Sequence, residues 1–125
     1  MQSKSSGILC CAIILATACG CAAAQVPGLT VTGGEAITYH CGDGAQIVAR
    51  YYSLSDQSLD FVKVRLPDGA EYTLPQVLSG SGVRYSDDRE LVWWTKGASA
   101  FAEMRDQNGE WQVRYDKCAE SGTKQ

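Results

Sequence analysis

Histidine occurs once, methionine twice and proline three times in the 125 residues of this chain. The shortage of histidine removes most nucleophilic and metal chemistry at once. His40 and the two cysteines of the chain body, Cys41 and Cys118, are too few for a tetrahedral zinc site. No metal and no cofactor is therefore expected, and His40 reads as an ordinary strand residue. No G-x-S-x-G turn between a strand and a helix is present to mount a serine nucleophile. Basic residues are also few. Eleven Lys and Arg against fourteen Asp and Glu give a net charge of −3, which argues against a nucleic-acid partner and leans towards neutral or cationic ones. The apolar run GILCCAIILATA, Gly7 to Ala18, falls short of the about 20 residues that a membrane-spanning helix needs. No helical stripe, internal repeat or low-complexity tract marks the body.

What the N-terminal end does contain is one charge, Lys4, then that apolar run, then small residues. This is the pattern of a secretory leader, expected over residues 1–20. Three processing readings stay open. LATAC, ending at Cys19, resembles a bacterial lipobox; TACGC, ending at Cys21, fits similarly; and Ala22-Ala23-Ala24 before Gln25 suits an ordinary signal peptidase. Cys19 and Cys21 are thus lipidation candidates. A lipid-anchored protein of the bacterial envelope is expected. Gly20 or Ala22 as the neighbouring residue points by analogy to the outer membrane, facing the periplasm, with a soluble periplasmic protein as the alternative.

Lipidation at Cys21, or cleavage after Ala24, leaves Cys41 and Cys118 as an even pair, whereas lipidation at Cys19 leaves Cys21 as an odd thiol. In an oxidising compartment a Cys41–Cys118 disulfide is the default. Removing the first 20 of 125 residues leaves 105, enough for one domain around one core. Loss of Lys4 takes the net charge to −4, ten basic side chains against fourteen acidic. Residues 21–35, which include QVPGLTVTGG, read as a tether. A folded body over 36–118 and a short tail over 119–125 complete the expected organisation.

The body reads as short strands divided by turn residues: AITYHC (36–41), QIVARYYS (46–53), LDFVKVRL (59–66), AEYTLPQVL (70–78), VRYS (83–86), LVWWTK (91–96), SAFAEMR (99–105) and EWQVRY (110–115). Val62, Val64 and Leu66 alternate with Lys63 and Arg65, and Phe61 shares parity with the charged set. Pro67-Asp68-Gly69 and Asp106–Gly109 supply turns. Pro75 marks an edge or a strand end. Trp93 and Trp94 must face opposite ways, one into the core and one towards the surface. Trp111, Val113 and Tyr115 are expected as a core stripe. No connection has the length of a parallel crossover. The expected fold is all-β, a small antiparallel barrel of about eight strands with one disulfide, since closure removes exposed edges.

One stretch, SGSGVRYSDDRELVWWTKG (79–97), carries a possible site. With Asp87–Glu90 as a four-residue loop, Ser86 faces Leu91, Tyr85 faces Val92, Val83 faces Trp94 and Ser81 faces Lys96. A bulge at Gly80 or Gly82 would shift this register by one. Unshifted, the register makes Ser81 and Lys96 neighbours at the open end of a hairpin, within cross-strand distance. An ammonium with three donors beside a hydroxyl, among Gly80, Gly82 and Gly97, suits the close approach of an anion, above all a carboxylate. The plainer reading of Lys96 is a solvated charge at a strand end.

SGVRYS followed by WWTKGASA, with Tyr39-His40-Cys41 at the start and Cys118 near the end, resembles the membrane-bound and periplasmic inhibitors of c-type lysozyme (MliC/PliC family). The resemblance spans about residues 39 to 118. It departs at the hairpin tip, where YSDDRELVWW is about one residue longer. It implies a small β-barrel that is no enzyme and whose partner is c-type lysozyme. Ser81 and Lys96 would enter the lysozyme cleft and engage its catalytic carboxyls, with Tyr85, Gly82 and Gly97 shaping the contact. Two other readings compete. Ser81 and Lys96 could form a hydrolase pair, which needs a buried lysine of lowered pKa, or the barrel could be a binding or structural lipoprotein without inhibitory action.

Overall fold

Alternation of apolar and polar side chains decides which face each strand turns inward, and eight such strands close on themselves. The computed structural model describes Gly20 and residues 28–122; the expected leader and both lipidation candidates, Cys19 and Cys21, lie outside the described residues. The strands are β1 (Val31–His40), β2 (Gln46–Leu54), β3 (Asp60–Arg65), β4 (Glu71–Val77), β5 (Val83–Ser86), β6 (Leu91–Lys96), β7 (Ser99–Arg105) and β8 (Trp111–Glu120). Each pairs antiparallel with the next, and β8 returns to β1, so the barrel is closed in simple sequential order. Closure rests on two residue pairs, Tyr39 with Glu120 and His40 with Ala119. The Ser121 amide extends it by donating to the Thr38 carbonyl.

Inside the barrel lie Ile47 and Ala49 of β2, Val62 and Val64 of β3, Leu74 of β4, and Trp93 of β6, all without solvent exposure. Lys63 and Arg65 point outward. Burying side chains of this size contributes roughly 1.5–3 kcal/mol each. Two adjacent tryptophans divide as alternation requires: Trp93 fills the core while Trp94 is half-exposed on the outer face. The Trp93 indole donates to the Tyr51 hydroxyl at 2.9 Å, and Tyr51 and Tyr39 share a hydrogen bond of 2.8 Å. Tyr39 also meets the Trp93 ring edge-on, centroids 5.0 Å apart. The polar ends of these large residues are thereby satisfied within the core. Phe61 lies on the outer face, stacked on Tyr52.

Cys41, just past β1, is bonded to Cys118 of β8 across 77 residues. The bond joins the first strand to the last near the short closing seam. His40 ends β1 as an exposed strand residue, and among the described residues no group of three or more potential metal ligands occurs.

Three features depart from expectation. First, β1 starts at Val31, inside the stretch read as tether. Gly33 and Gly34 adopt φ of +94° and +97° and form a bulge that restores pairing with β2 at Ala36. Second, β8 runs on to Glu120, and the apolar stripe assigned to it splits. Ala102 pairs with Tyr115 but Glu103 with Val113, so the extra residue Arg114 turns Val113 outward, where it is exposed. Trp111 also lies outside, under the Arg105 guanidinium at 4.4 Å. Only Tyr115 of the three is core. Third, Pro75 stands within β4, paired to Phe61. It needs no strand edge there, because β5 engages only Gln76 and Val77 of β4.

Candidate functional site

The hairpin of β5 and β6 is in a register one residue away from the expected one. Val83 faces Thr95, Arg84 faces Trp94, Tyr85 faces Trp93 and Ser86 faces Val92. Five residues, Asp87–Leu91, therefore separate the last pair, and local chemistry sets that length. The Asp87 carboxylate accepts from the amides of Arg89, Glu90 and Leu91. The Asp88 amide donates to the Ser86 hydroxyl at 2.9 Å, and Asp88 takes the left-handed φ of +56°. Partial burial works against ionisation of Asp87, but the three amide donors outweigh it and hold the carboxyl below its ordinary range.

The shift matters because it flips partners by one face. Tyr85 now shares the interior with Trp93 and packs against Tyr51, centroids 5.7 Å apart. It is buried, and that burial pushes its phenol up to about 12. Tyr85 supports the hairpin from within. Ser81 and Lys96 are likewise not direct cross-strand partners, as the regular pairing stops at Val83 with Thr95.

The two residues are nevertheless brought together, through Trp94. Its indole N–H donates to the Ser81 carbonyl at 2.8 Å, and the Ser79 hydroxyl lies 3.1 Å from that carbonyl and 2.9 Å from that of Gly82. These contacts use the Ser81 backbone and leave its hydroxyl out. Gly82, at φ +65°, is the hinge of this loop. A Cβ there would collide with the Thr95 carbonyl, and would stand 2.9 Å from Lys96 Cγ and 3.1 Å from the Trp94 indole nitrogen. The chain can approach this closely only as glycine. Leu78, at the start of the same loop, is 96% exposed.

Lys96 ends β6. Gly97, at φ +60°, is the first central residue of a two-residue connection, as a type II′ hairpin turn requires. Lys96 and Ser99 form its closing pair, and the Ser99 hydroxyl donates to the Lys96 carbonyl at 2.9 Å. The ammonium is exposed, 5.5 Å from the centre of the Trp94 ring. The Arg84 guanidinium lies 5.8 Å from the centre of that same ring. Trp94 in turn stacks on Phe101 of β7, centroids 5.5 Å apart. Among the described residues no carboxylate lies within ion-pair distance of Lys96. The exposure of Lys96 denies it the desolvation that a lysine base requires.

Sequence reasoning singles out Ser81, Gly82, Lys96 and Gly97 as candidates but not Arg84 and Phe101, which surround Trp94. They are the cross-strand partners of Trp94, and Arg84 is visible as one only once the β5–β6 register is correct.

Residues 39–111, more than half of the chain, match the family described as membrane-bound lysozyme inhibitor of c-type lysozyme. A membrane-bound lysozyme inhibitor of C-type lysozyme from Yersinia enterocolitica is 39% identical over 69 residues, covering 55% of this chain and 53% of that protein. The match thus spans about half the length of that relative. No solved structure gave a significant match. The matched segment holds β2 to β7 and the whole Ser81–Lys96 hairpin, and the chain belongs to the family of membrane-bound inhibitors of c-type lysozyme, a family of inhibitors and not of enzymes.

Proposed function

We propose that this chain inhibits c-type lysozyme by lodging the Lys96 ammonium and the Ser81 loop in the enzyme's active-site cleft. The observation that carries the reading is the exposed Lys96, which has no carboxylate partner among the described residues and stands beside a serine loop fastened by Trp94. A glycosidase of this kind works with two carboxyls in different environments, one protonated as acid and one ionised. An ammonium between them favours the ionised form of both and so disables the acid. The loop meanwhile fills the space that substrate needs. Ser81, whose hydroxyl is not spent on the contacts that hold the loop, donates to or accepts from the same carboxyls. Gly82 and Gly97 set the backbone that presents the pair.

Charge supports the partner. The exported part of the chain carries −4, and lysozymes of this class are cationic, so encounter is steered and salt-sensitive. We place the protein in the bacterial envelope, held to a membrane through a lipid on Cys19 or Cys21, where it protects peptidoglycan. Titration of c-type lysozyme with the protein, following lysis of bacterial cell walls, tests the reading. Inhibition that saturates at a fixed molar ratio is expected, and full lysis at a large excess of the protein contradicts it.

A further inference from the structure

The outer face of β2, β3 and β4 carries an arrangement that the hairpin does not use. Arg50 and Lys63 are direct cross-strand partners, and Arg65, opposite Val48, follows one position along on the same face. Like charges placed directly opposite repel each other. The one acid lining this hollow, Glu71, is held by Arg65 at 2.8 Å. Arg50 donates to the Gly34 carbonyl at 2.8 Å and Lys63 to the Thr73 hydroxyl at 3.2 Å. Among the described residues neither has a carboxylate partner. The three cations are exposed and border a hollow of about 250 Å³ together with Val48 and Tyr52. Beside them on the same face lies the stacked pair of Tyr52 and Phe61.

We propose that this face docks on the anionic headgroup layer of a lipid bilayer and turns Lys96 away from the membrane. Sequential closure of eight strands sets β2, which carries Arg50, opposite β6, which ends in Lys96. The chain enters β1 along the β2 border of this face, because Val31 pairs with Leu54 and, further along, Ala36 pairs with Arg50. Discounting Arg65 against Glu71 leaves two net positive charges on a chain that is negative overall. Each cation near an anionic surface favours contact roughly fivefold, so this face is preferred roughly 30-fold over a neutral one. The aromatic pair beside the cations suits the headgroup level, where amphipathic rings settle. Such a bias is too weak to hold a protein on a membrane unaided, but it is sufficient to orient one that is anchored. The proposal stands independently of lysozyme inhibition.

Lysine acylation tests it. The lipid-anchored protein, reconstituted on vesicles of phosphatidylglycerol and phosphatidylcholine or of phosphatidylcholine alone, is treated with a water-soluble acylating reagent, and labelling of Lys63 and Lys96 is read by mass spectrometry. Lys63 should label several-fold more slowly on the anionic vesicles, with Lys96 unchanged. Arg50→Glu should abolish this protection, and so should a rise in ionic strength to about 0.5 M, which shortens the screening length without touching the fold. Equal labelling of Lys63 on both vesicle types, or equal protection of both lysines, would overturn the proposal. Protection of Lys63 by inorganic phosphate at the headgroup concentration, without vesicles, would also overturn it and assign the hollow to a free anion. Inhibition of lysozyme in solution by Arg50→Glu should match that of the parent, which keeps the two readings separable.

Discussion

The indole N–H of Trp94 donates to the carbonyl of Ser81 at 2.8 Å, fastening the loop before β5 to the strand that ends in Lys96. Trp94 is therefore a positioning residue for both proposed contact groups. Trp94→Phe keeps a ring over Phe101 and near both cations but removes one hydrogen bond worth about 1 kcal/mol. We expect inhibition about fivefold weaker, read by lysozyme titration, with a thermal midpoint within about 5 °C of the parent. Unchanged inhibition would show that the latch is idle.

The two glycines of the site should separate by experiment. Gly82→Ala drives a methyl into the Thr95 carbonyl and against the Lys96 side chain at a left-handed φ. It should cost about 1–3 kcal/mol and displace the loop. At Gly97 the space for a Cβ is open, so Gly97→Ala bears only the left-handed penalty of about 1–2 kcal/mol. Denaturant unfolding gives both stabilities. Inhibition should fall further in Gly82→Ala than in Gly97→Ala, and the reverse order would contradict the packing described.

Alkaline pH should unfold the barrel from the inside. Burial raises the phenols of Tyr39, Tyr51 and Tyr85 above their ordinary value, that of Tyr85 to about 12. The unfolded chain, with phenols near 10, then releases protons first, so stability is complete below about pH 10 and declines between 10 and 12. Thermal melts across that range, followed with phenolate absorbance, should show a falling midpoint. Tyr51→Phe should lessen the slope, although it leaves the Trp93 indole without its acceptor and lowers stability at neutral pH.

The Cys41–Cys118 bond closes a loop of 77 residues. In the chain-entropy account a loop of this length stabilises by about 4 kcal/mol. For a domain of this size, a loss of that order lowers the melting temperature by more than about 15 °C. The double variant Cys41→Ser, Cys118→Ser should show that drop in calorimetry. A shift of only a few degrees would mean that the barrel seam holds without it.

The strands were legible because alternation leaves few choices. Lys63 and Arg65 outside require Val62 and Val64 inside, and turns such as Pro67-Asp68-Gly69 fix where each run ends. What escaped was every place where one residue is added to a ladder. Arg114 reverses Val113, Gly33-Gly34 reopens β1 inside an apparent tether, and the Asp87 cap lengthens the β5–β6 loop. These are set by local backbone hydrogen bonds and left-handed residues such as Asp88, Gly33 and Gly34, which an apolar pattern does not encode. The site suffered only from the last of them. Ser81 and Lys96 were named as neighbours for a pairing that does not exist, and Trp94 supplies the link that alternation alone could not show.

Comparison of parent, Lys96→Ala and the Ser81→Ala, Lys96→Ala double variant in one lysozyme titration addresses the central claim most directly. Both side chains are at the surface, so all three proteins should melt alike. Removing an ammonium that is paired with carboxyls inside a cleft should weaken inhibition at least about 30-fold, and the double variant further still. A double variant that inhibits as strongly as the parent would contradict the claim that this amine and hydroxyl close the lysozyme cleft.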